Sequence, residues 1–261
     1  MPEDHDAYKP AQIADLMESA GVAKARMPLG QMLMLAVLAG AFISFGAAAY
    51  LMVMTGADPG FGPHRLLGGL VFSLGLILVI VGGAELFTGN ALMVMAAVDG
   101  KITPAALARN WGVVYLGNLI GALAMAAAFG LTGLLDGPMG EIAAKIATAK
   151  ATGSALPWLV KGALCNALVC LAVWLTFSAR DTTGKILSIL WPISAFVLLG
   201  LEHSIANMFF LPLGMLAGAE ISASAALGNL FWVTLGNILG GAGGVAMAYR
   251  YAYLGGKGAR Q

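Results

Sequence analysis

The stretch GLEHSIAN (residues 200–207) places a glutamate, a histidine and an asparagine inside one of the most hydrophobic parts of the chain. A second stretch, GAELFTGN (residues 83–90), carries its glycine, glutamate and asparagine at the same spacing, 117 residues earlier. Another pair, LGNLIGA (residues 116–122) and LGNILGG (residues 235–241), repeats at an offset of 119 residues. Because the two registers nearly agree, the first half of the chain is predicted to repeat as the second half.

The composition indicates an integral membrane protein. Of 261 residues, 59% are hydrophobic and only 10% are charged, and the 36 glycines suit helices that pack closely in lipid. The formal net charge of +1 gives no reason to expect a nucleic-acid partner. Cys165 and Cys170 lie too far apart on a helix for a disulfide. No motif predicts a metal site, a cofactor or a nucleophile–base pair, so we expect a protein that is not an enzyme.

Six apolar stretches are long enough to cross a hydrocarbon core of about 30 Å, which needs about 20 helical residues. They are residues 29–55, 66–98, 107–131, 157–178, 187–217 and 224–253. We therefore expect three parts: a cytoplasmic N-terminal segment, one transmembrane domain and a cytoplasmic tail, at residues 1–28, 29–253 and 254–261. The N-terminal segment lacks the basic start and apolar core of a signal peptide. Either a surface tail or a gating helix fits its sequence.

Lysine and arginine side chains indicate the orientation of the spans. With the N-terminus inside, the inner segments hold ten of these residues and the outer loops hold three. Both termini are therefore predicted to be cytoplasmic. Because each repeat (about residues 29–131 and 157–253) has an odd number of spans, the copies must be inverted across the membrane. The predicted fold is an all-α membrane protein of six helices in two inverted repeats, with helices two and five broken.

The two repeated stretches would interrupt their helices at membrane depth, because glycine, threonine and asparagine weaken a helix there. Unwound backbone survives in a membrane only where protein buries it or water reaches it, so both stretches are expected to line a pathway. His203 is the main candidate in that pathway, since intramembrane ionisable groups tend to mark ion or proton routes and imidazole titrates near neutral pH. The alternative is a neutral histidine that is hydrogen-bonded inside the helix bundle.

Several other polar residues lie in or beside the spans. Glu85 and Glu202 are predicted to be structural, each accepting hydrogen bonds from the free N–H groups where a half-helix begins. Lys150 and Lys161 either extend to the membrane interface or gather anions at the mouth of a pathway. Neutral polar groups come from Thr88, Asn90, Asn118, Asn166, Asn207 and Asn237, and some of these satisfy the broken backbone.

Five motifs resemble the formate/nitrite transporter family, and together they cover nearly the whole chain. They are AELFTGN, LGNLIGA, KGALCNALVCLAVW, EHSIANMFFLPLG and LFWVTLGNILGG. The resemblance implies a homopentamer of aquaporin-like protomers in the bacterial inner membrane. Each protomer would have its own pore for small monovalent anions.

The resemblance also implies roles for individual residues. It assigns His203 to the central pore histidine, Thr88 to the threonine opposite it, and Lys150 to the vestibule lysine. The implied outer apolar constriction consists of Phe72, Leu76 and Phe196. The implied inner constriction consists of Leu86, Phe87, Val169 and Leu201, with Asn166 and Asn237 as polar neighbours. Asn90 and Asn207 join Glu85 and Glu202 as structural residues at the helix breaks.

Formate is the favoured substrate, because EHSIANMFFLPLG is similar to formate-type members of the family. KGALCN and LFWVTLGN also occur in nitrite-type members, so nitrite is the alternative, and hydrosulfide is a weaker third. A proton relayed through His203 would neutralise formate and let it pass the apolar constrictions, so protons are an expected partner. Membrane lipid is the other, because the spans cross the bilayer. A neutral-solute channel of aquaporin type is the rival from another class, but the chain has no Asn-Pro-Ala loop.

Overall fold

The computed structural model describes residues 7–58 and 61–255, and the backbone of these residues is mainly helical. His5 and the tail from residue 256 onward lie outside the described residues. The first half of the chain contains α1 (Pro10–Ala25), α2 (Leu29–Val53), α3 (Gly62–Phe72), α4 (Leu74–Gly82), α5 (Phe87–Asn90), a 3₁₀ turn (Ala91–Met93), α6 (Val94–Val98) and α7 (Pro104–Gly130).

The second half has a broadly similar order of helices, with fewer breaks in its middle. After a 3₁₀ turn (Leu134–Asp136) it contains α8 (Pro138–Ala151), α9 (Ala155–Ser178), α10 (Thr182–Leu198), α11 (Ser204–Leu216), α12 (Ala223–Ile238), a π-helical run (Leu239–Ala246) and α13 (Met247–Tyr253). In this order α8 takes the place that α1 takes in the first half.

Five helical segments among the described residues are long and apolar enough to cross a membrane. They are Leu29–Val53, Gly62–Gly82, Pro104–Gly130, Ala155–Ser178 and Ala223–Tyr253. The expected span at residues 187–217 is instead divided between α10 and α11, and each of these apolar helices is too short to cross alone. The chain is thus a membrane protein built from helices.

The backbone leaves helical geometry at both repeated stretches. Gly83 and Gly200 have positive φ angles of 80° and 66°, a left-handed conformation that glycine adopts without steric cost. Helix α4 ends beside Gly83 and α10 ends two residues before Gly200. Three residues then run without helix before α5 begins at Phe87 and before α11 begins at Ser204.

Two helix pairs pack so closely that their backbones touch. A Cβ atom built on Gly121 of α7 would lie 2.0 Å from the carbonyl oxygen of Val37 in α2. A Cβ atom built on Gly240 would lie 1.9 Å from the carbonyl oxygen of Ala163 in α9. In lipid, where no hydrophobic force draws helices together, such small-residue contacts are a main source of helix association. They hold the long helices around the non-helical stretches.

Helix α1 is docked on the rest of the protein and is not a free surface tail. Ile13, Ala14 and Met17 are buried against α6, α9 and the 3₁₀ turn at Ala91–Met93. The N–H of Tyr8 donates to the carbonyl oxygen of Ser178 at the end of α9 with a distance of 3.0 Å. The buried Glu18 forms an ion pair with Lys101. Both apolar packing and charge therefore fix α1.

The Gly240 contact yields a direct test of the packing. Gly240→Ala should destabilise the protein by about 1–3 kcal/mol, because the added methyl group meets backbone that cannot turn aside. Gly243→Ala is the matched control, since a Cβ at that position meets nothing within 4 Å. Thermal unfolding in detergent measures both variants. Equal melting temperatures for the two would contradict the close packing of the π-helical run on α9.

Candidate functional site

His203 and Thr88 meet in the interior of the protein. The imidazole Nε2 lies 3.0 Å from Thr88 Oγ1, and the two residues are 3% and 0% exposed. The other ring nitrogen, Nδ1, lies 3.1 Å from the backbone N–H of Ala206, which donates to it. Because Nδ1 accepts, the neutral ring carries its proton on Nε2 and donates it to Thr88 Oγ1. The hydroxyl proton of Thr88 is then free to point elsewhere.

The N-terminus of α11 favours the neutral form of this histidine. His203 is the N-cap residue of α11, so its ring satisfies one of the N–H groups that the helix start leaves open. A cation at this end would meet the positive end of the helix dipole and would lose the Ala206 bond. The arrangement therefore suits a hydrogen-bond donor that stays uncharged.

Aromatic and aliphatic side chains surround the pair. The ring of Phe196 lies nearly parallel to the ring of His203, with centroids 6.0 Å apart. The ring of Phe72 meets Phe196 edge to face at 5.5 Å. Below them is a small apolar cavity, here called the central cavity, which is lined by Ile43, Phe72, Leu76, Leu86, Val169, Ile193, Phe196 and His203. Nothing in this wall except the imidazole can bind a charge.

Two larger cavities lie on either side of the central cavity. The first, the Lys150 vestibule, has a volume of about 310 Å³ and includes Lys150, Lys161, Arg65 and His203 in its lining. The second, the Lys24 vestibule, has a volume of about 400 Å³ and is bounded in part by Lys24, Lys185, Glu85 and Leu86. His203 faces both the Lys150 vestibule and the central cavity, while Leu86 faces both the central cavity and the Lys24 vestibule. The three cavities thus form a series.

The implied constriction residues fall into three groups. Phe72, Leu76, Phe196, Leu86 and Val169 all line the central cavity. Phe87 is buried beside α7, where its ring packs edge to face on Trp111 and Tyr115. Leu201, which the resemblance placed in the inner constriction, lines the Lys150 vestibule on the other side of His203 instead.

Two asparagines satisfy the backbone at the interrupted helices. Asn118 Oδ1 accepts from the N–H of Phe87, and Asn118 Nδ2 donates to the carbonyl oxygens of Ala36 and Glu85. Asn237 repeats this pattern with the N–H of Ser204 and the carbonyl oxygens of Gly162 and Glu202. Glu85 and Glu202 were predicted to accept free N–H groups where a half-helix begins. They do not take the N–H groups of Phe87 and Ser204, because asparagine side chains from α7 and α12 already do.

The two glutamates instead bind side chains, again in matching sets. Glu85 accepts from Asn90 Nδ2 at 2.8 Å and from Lys24 Nζ. Glu202 accepts from Asn207 Nδ2 at 2.6 Å and from Lys150 Nζ at 3.0 Å. The same two asparagine amides also donate to Asn110 and Asn229. Each carboxylate is thus held by a lysine and an asparagine at the side of a vestibule.

Asn166 joins the break in the first half to α9 and α12. Its amide nitrogen donates to the carbonyl oxygens of Thr88 and Asn237 at 3.2 Å and 2.7 Å. Cys170 contacts the same Thr88 carbonyl through its sulfur at 3.5 Å. The peptide of Thr88 is therefore fixed from two directions, which holds its hydroxyl toward His203.

Sequence reasoning missed four residues of this site: Lys24, Arg65, Asn110 and Asn229. The two asparagines were detectable, because each lies eight residues before the asparagine of a repeated LGN motif. Lys24 and Lys150 occupy equivalent helices, α1 and α8, but no motif surrounds Lys24. No metal-binding group of three or more histidine, cysteine or acidic side chains occurs in residues 7–58 and 61–255.

Comparisons with known proteins agree with this geometry. The sequence profile of the family described as formate/nitrite transporter matches residues 11–251. The uncharacterized transporter YrhG of Bacillus subtilis is 43% identical over 249 residues, which cover 94% of this chain and 93% of that protein. The formate channel FocA of Escherichia coli is 38% identical over 272 residues, with 95% of each chain covered.

Two further comparisons concern substrate and assembly. The nitrite transporter NirC of Escherichia coli is 36% identical over 222 residues, which cover 82% of this chain and 81% of that protein. A solved structure described as a pentameric formate channel with formate bound matches with a TM-score of 0.79 and 39% identity. The match covers 87% of this chain and 98% of that chain.

The ion pair of Lys150 and Glu202 predicts a large effect of one substitution. Lys150→Met should destabilise the protein by about 2–3 kcal/mol, because it leaves the Glu202 carboxylate buried without its cation. The double variant Lys150→Met/Glu202→Gln should recover most of the loss, since no charge is then left unpaired. Lys145→Met on the exposed face of α8 is the control. Thermal unfolding in detergent measures the series, and a wild-type melting temperature for Lys150→Met would show that the ion pair is not structural.

Proposed function

The chain belongs to the formate/nitrite transporter family, and we propose that it is a formate channel in which the substrate crosses the apolar layer as the neutral acid. The relatives named above are channels and transporters, and the chain is a membrane transport protein, not an enzyme. Formate is preferred as substrate because a formate channel is 38% identical and a formate-bound channel structure matches the fold.

One observation carries this proposal: an uncharged polar pair, His203 and Thr88, lies beside an otherwise apolar cavity. A bare charge at the centre of a bilayer costs at least about 3 kcal/mol, and the phenylalanine and leucine side chains offer nothing to offset it. Formic acid, with a pKa near the ~4 of a side-chain carboxyl, arrives as formate at neutral pH. A channel with this wall therefore favours the protonated form of its substrate.

The hydrogen-bond pattern gives His203 a definite role in this scheme. To relay a proton as imidazolium, the ring has to release the Ala206 N–H from Nδ1. As a neutral ring it donates from Nε2 to Thr88 Oγ1, and the Thr88 hydroxyl can then donate to a substrate oxygen. The pair thus donates to formic acid, between the apolar walls, a hydrogen bond that water would otherwise supply. The proton that neutralises formate enters together with it.

The architecture that we propose consists of two inverted repeats of three spans with broken helices two and five. Its support is the matching of Asn118 with Asn237, and of the Glu85 set with the Glu202 set, since an inverted repeat places equivalent bonds on opposite sides of the pair. The excess of lysine and arginine in the inner segments orients both termini to the cytoplasm of a bacterial inner membrane. The Lys150 vestibule then opens outward. We propose a homopentamer by analogy with the pentameric formate channel whose structure matches this chain.

Nitrite is the second candidate substrate. NirC at 36% identity supports it, and nitrite is also a small monovalent anion of a weak acid. It would cross by the same neutralisation. Uptake of each anion into liposomes under one pH difference separates the two candidates.

We extend the proposal to helix α1 as a gate on the cytoplasmic side. Its Lys24 binds Glu85 beside Leu86, and its residues Leu16, Met17 and Ala20 form part of the Lys24 vestibule wall. Movement of α1 would open that wall and release Glu85. The ion pair of Glu18 with Lys101 contributes to the docking of α1, together with its buried apolar residues.

Substitutions of His203 test the donor role. Formate uptake into liposomes should rise by up to about tenfold for each unit of falling external pH, as the protonated fraction rises. His203→Asn retains an N-cap acceptor and an N–H donor and should keep this pH profile with a lower rate. His203→Phe has neither group and should reduce uptake by about 100-fold. Flux through His203→Asn that no longer depends on pH would show that the ring itself must titrate.

The docking of α1 is predicted to depend on pH through Glu18. Burial raises the pKa of Glu18; the bond with Lys101 lowers it in part, and the neighbouring Asp99, which also pairs with Arg250, raises it further. The docked helix therefore holds the Glu18 proton more tightly than the free helix. Glu18 accordingly stabilises docking below its ordinary pKa, and this contribution is lost as the pH rises through the raised pKa.

Tryptic cleavage after Lys24 measures this docking. Between about pH 5 and about pH 8 the wild-type cleavage rate should rise several-fold more than that of Glu18→Gln, which mimics the protonated carboxyl. Glu141→Gln on the exposed face of α8 corrects for the pH dependence of trypsin. If Glu18→Gln and wild type respond equally to pH, Glu18 does not control the docking of α1.

A further inference from the structure

We propose that Arg65 and Lys161 form a distinct anion-binding site in the Lys150 vestibule, which holds a planar anion with two oxygens before it reaches His203. The site would take carboxylate and nitrite ions in preference to hydrosulfide. This inference rests on the proposed channel function and adds a selective entrance to it.

The side chain of Arg65, which belongs to α3, lies against the turn that precedes His203. A Cβ atom built on Gly200 would lie 2.7 Å from Arg65 Nη2, so the guanidinium group rests against Gly200, three residues before the histidine. Arg65 also precedes Phe72 by seven residues, which are two turns of α3. It therefore lies on the same helix face as Phe72, about 10 Å farther from the central cavity.

Lys161 lies on α9 at a similar distance from the central cavity as Arg65 on α3. It precedes Cys165 by four residues and Val169 by eight, so the three residues share one face of the helix. Val169 lines the central cavity, and Lys161 lies about 12 Å from Val169 along the axis of α9. The carbonyl oxygen of Lys161 accepts from the N–H of Glu202 at 3.4 Å, which ties this part of α9 to the same turn.

The charge balance of the vestibule leaves these two cations available. Arg65, Lys150 and Lys161 line it together with the carboxylate of Glu202. Lys150 Nζ binds that carboxylate at 3.0 Å and also lies over the ring of Phe210. Neither Arg65 nor Lys161 has an ion-pair partner in the described part of the chain. An anion in the vestibule therefore meets two cations that are free to bind it. The sequence had indicated Lys161 together with Lys150, and Arg65 is the addition that the structure supplies.

The chemistry of guanidinium gives the site its selectivity. Arginine presents N–H groups in a planar fork that matches two oxygens of one anion, whereas an ammonium group acts as a point charge. Formate and nitrite both offer two oxygens in a plane, and hydrosulfide offers a single sulfur. Arg65 is thus the residue that distinguishes these classes, and Lys161 adds attraction without discrimination.

Initial rates of anion uptake by the full-length protein in liposomes test this site. Arg65→Gln and Lys161→Gln should each raise the KM for formate by about tenfold with little change in the maximal rate, because a charged hydrogen-bond partner is lost while the central pair is intact. Arg65→Lys should raise the KM for formate and nitrite by about threefold but leave the KM for hydrosulfide unchanged. Lys145→Gln, which removes an exposed positive charge from α8, is the control and should match wild type.

A binding measurement without transport completes the experiment. Crystals of the full chain soaked in nitrite should show density for a planar anion within hydrogen-bond distance of Arg65 and Lys161, and this density should disappear in Arg65→Gln. Nitrite bound only at Lys150, or an unchanged KM for formate in Arg65→Gln, would overturn the site while leaving the channel proposal intact. A wild-type protein that carries none of the three anions would instead refute the channel function itself.

Discussion

The whole structure depends on satisfying unwound backbone inside an apolar layer. A membrane offers no water to the N–H and C=O groups of a non-helical segment, and each group left open costs several kcal/mol. Asn118 and Asn237 meet this requirement, since each binds one N–H and two carbonyl oxygens around an interrupted helix. The close glycine contacts between α2 and α7 and between α9 and the π-helical run after α12 bring these asparagines within reach.

The same constraint places the functional groups. Because the chain is not helical between Gly200 and Ser204, His203 becomes the N-cap residue of α11. Its Nδ1 accepts the backbone N–H of Ala206. Only Nε2 then faces Thr88, whose peptide is held by Asn166. The neutral donor pair at the centre is thus a consequence of how the break is capped. Among the described residues, the cations along this path lie farther out, in the two vestibules.

A large part of this arrangement could be predicted from the sequence. Long apolar runs give the spans, and a repeated Gly-x-Glu pattern marks both places where the helix stops. The pairing of His203 with Thr88 was implied by resemblance and is seen at 3.0 Å. The partners of Glu85 and Glu202 were not predictable, because the direction of a side chain in an extended turn does not follow helical periodicity. Leu201 was misplaced for the same reason, since it lies in that turn between Gly200 and His203.

The central claim is that formate carries no net charge when it passes His203, and the effect of membrane voltage on flux tests it most directly. Liposomes containing the full chain, with equal pH on both sides, can be clamped at a series of potassium diffusion potentials while formate uptake is recorded. The account predicts that the rate is the same at every potential, because the transported species is neutral. A rate that falls steadily as the liposome interior becomes more negative would contradict it, since formate would then cross as the anion.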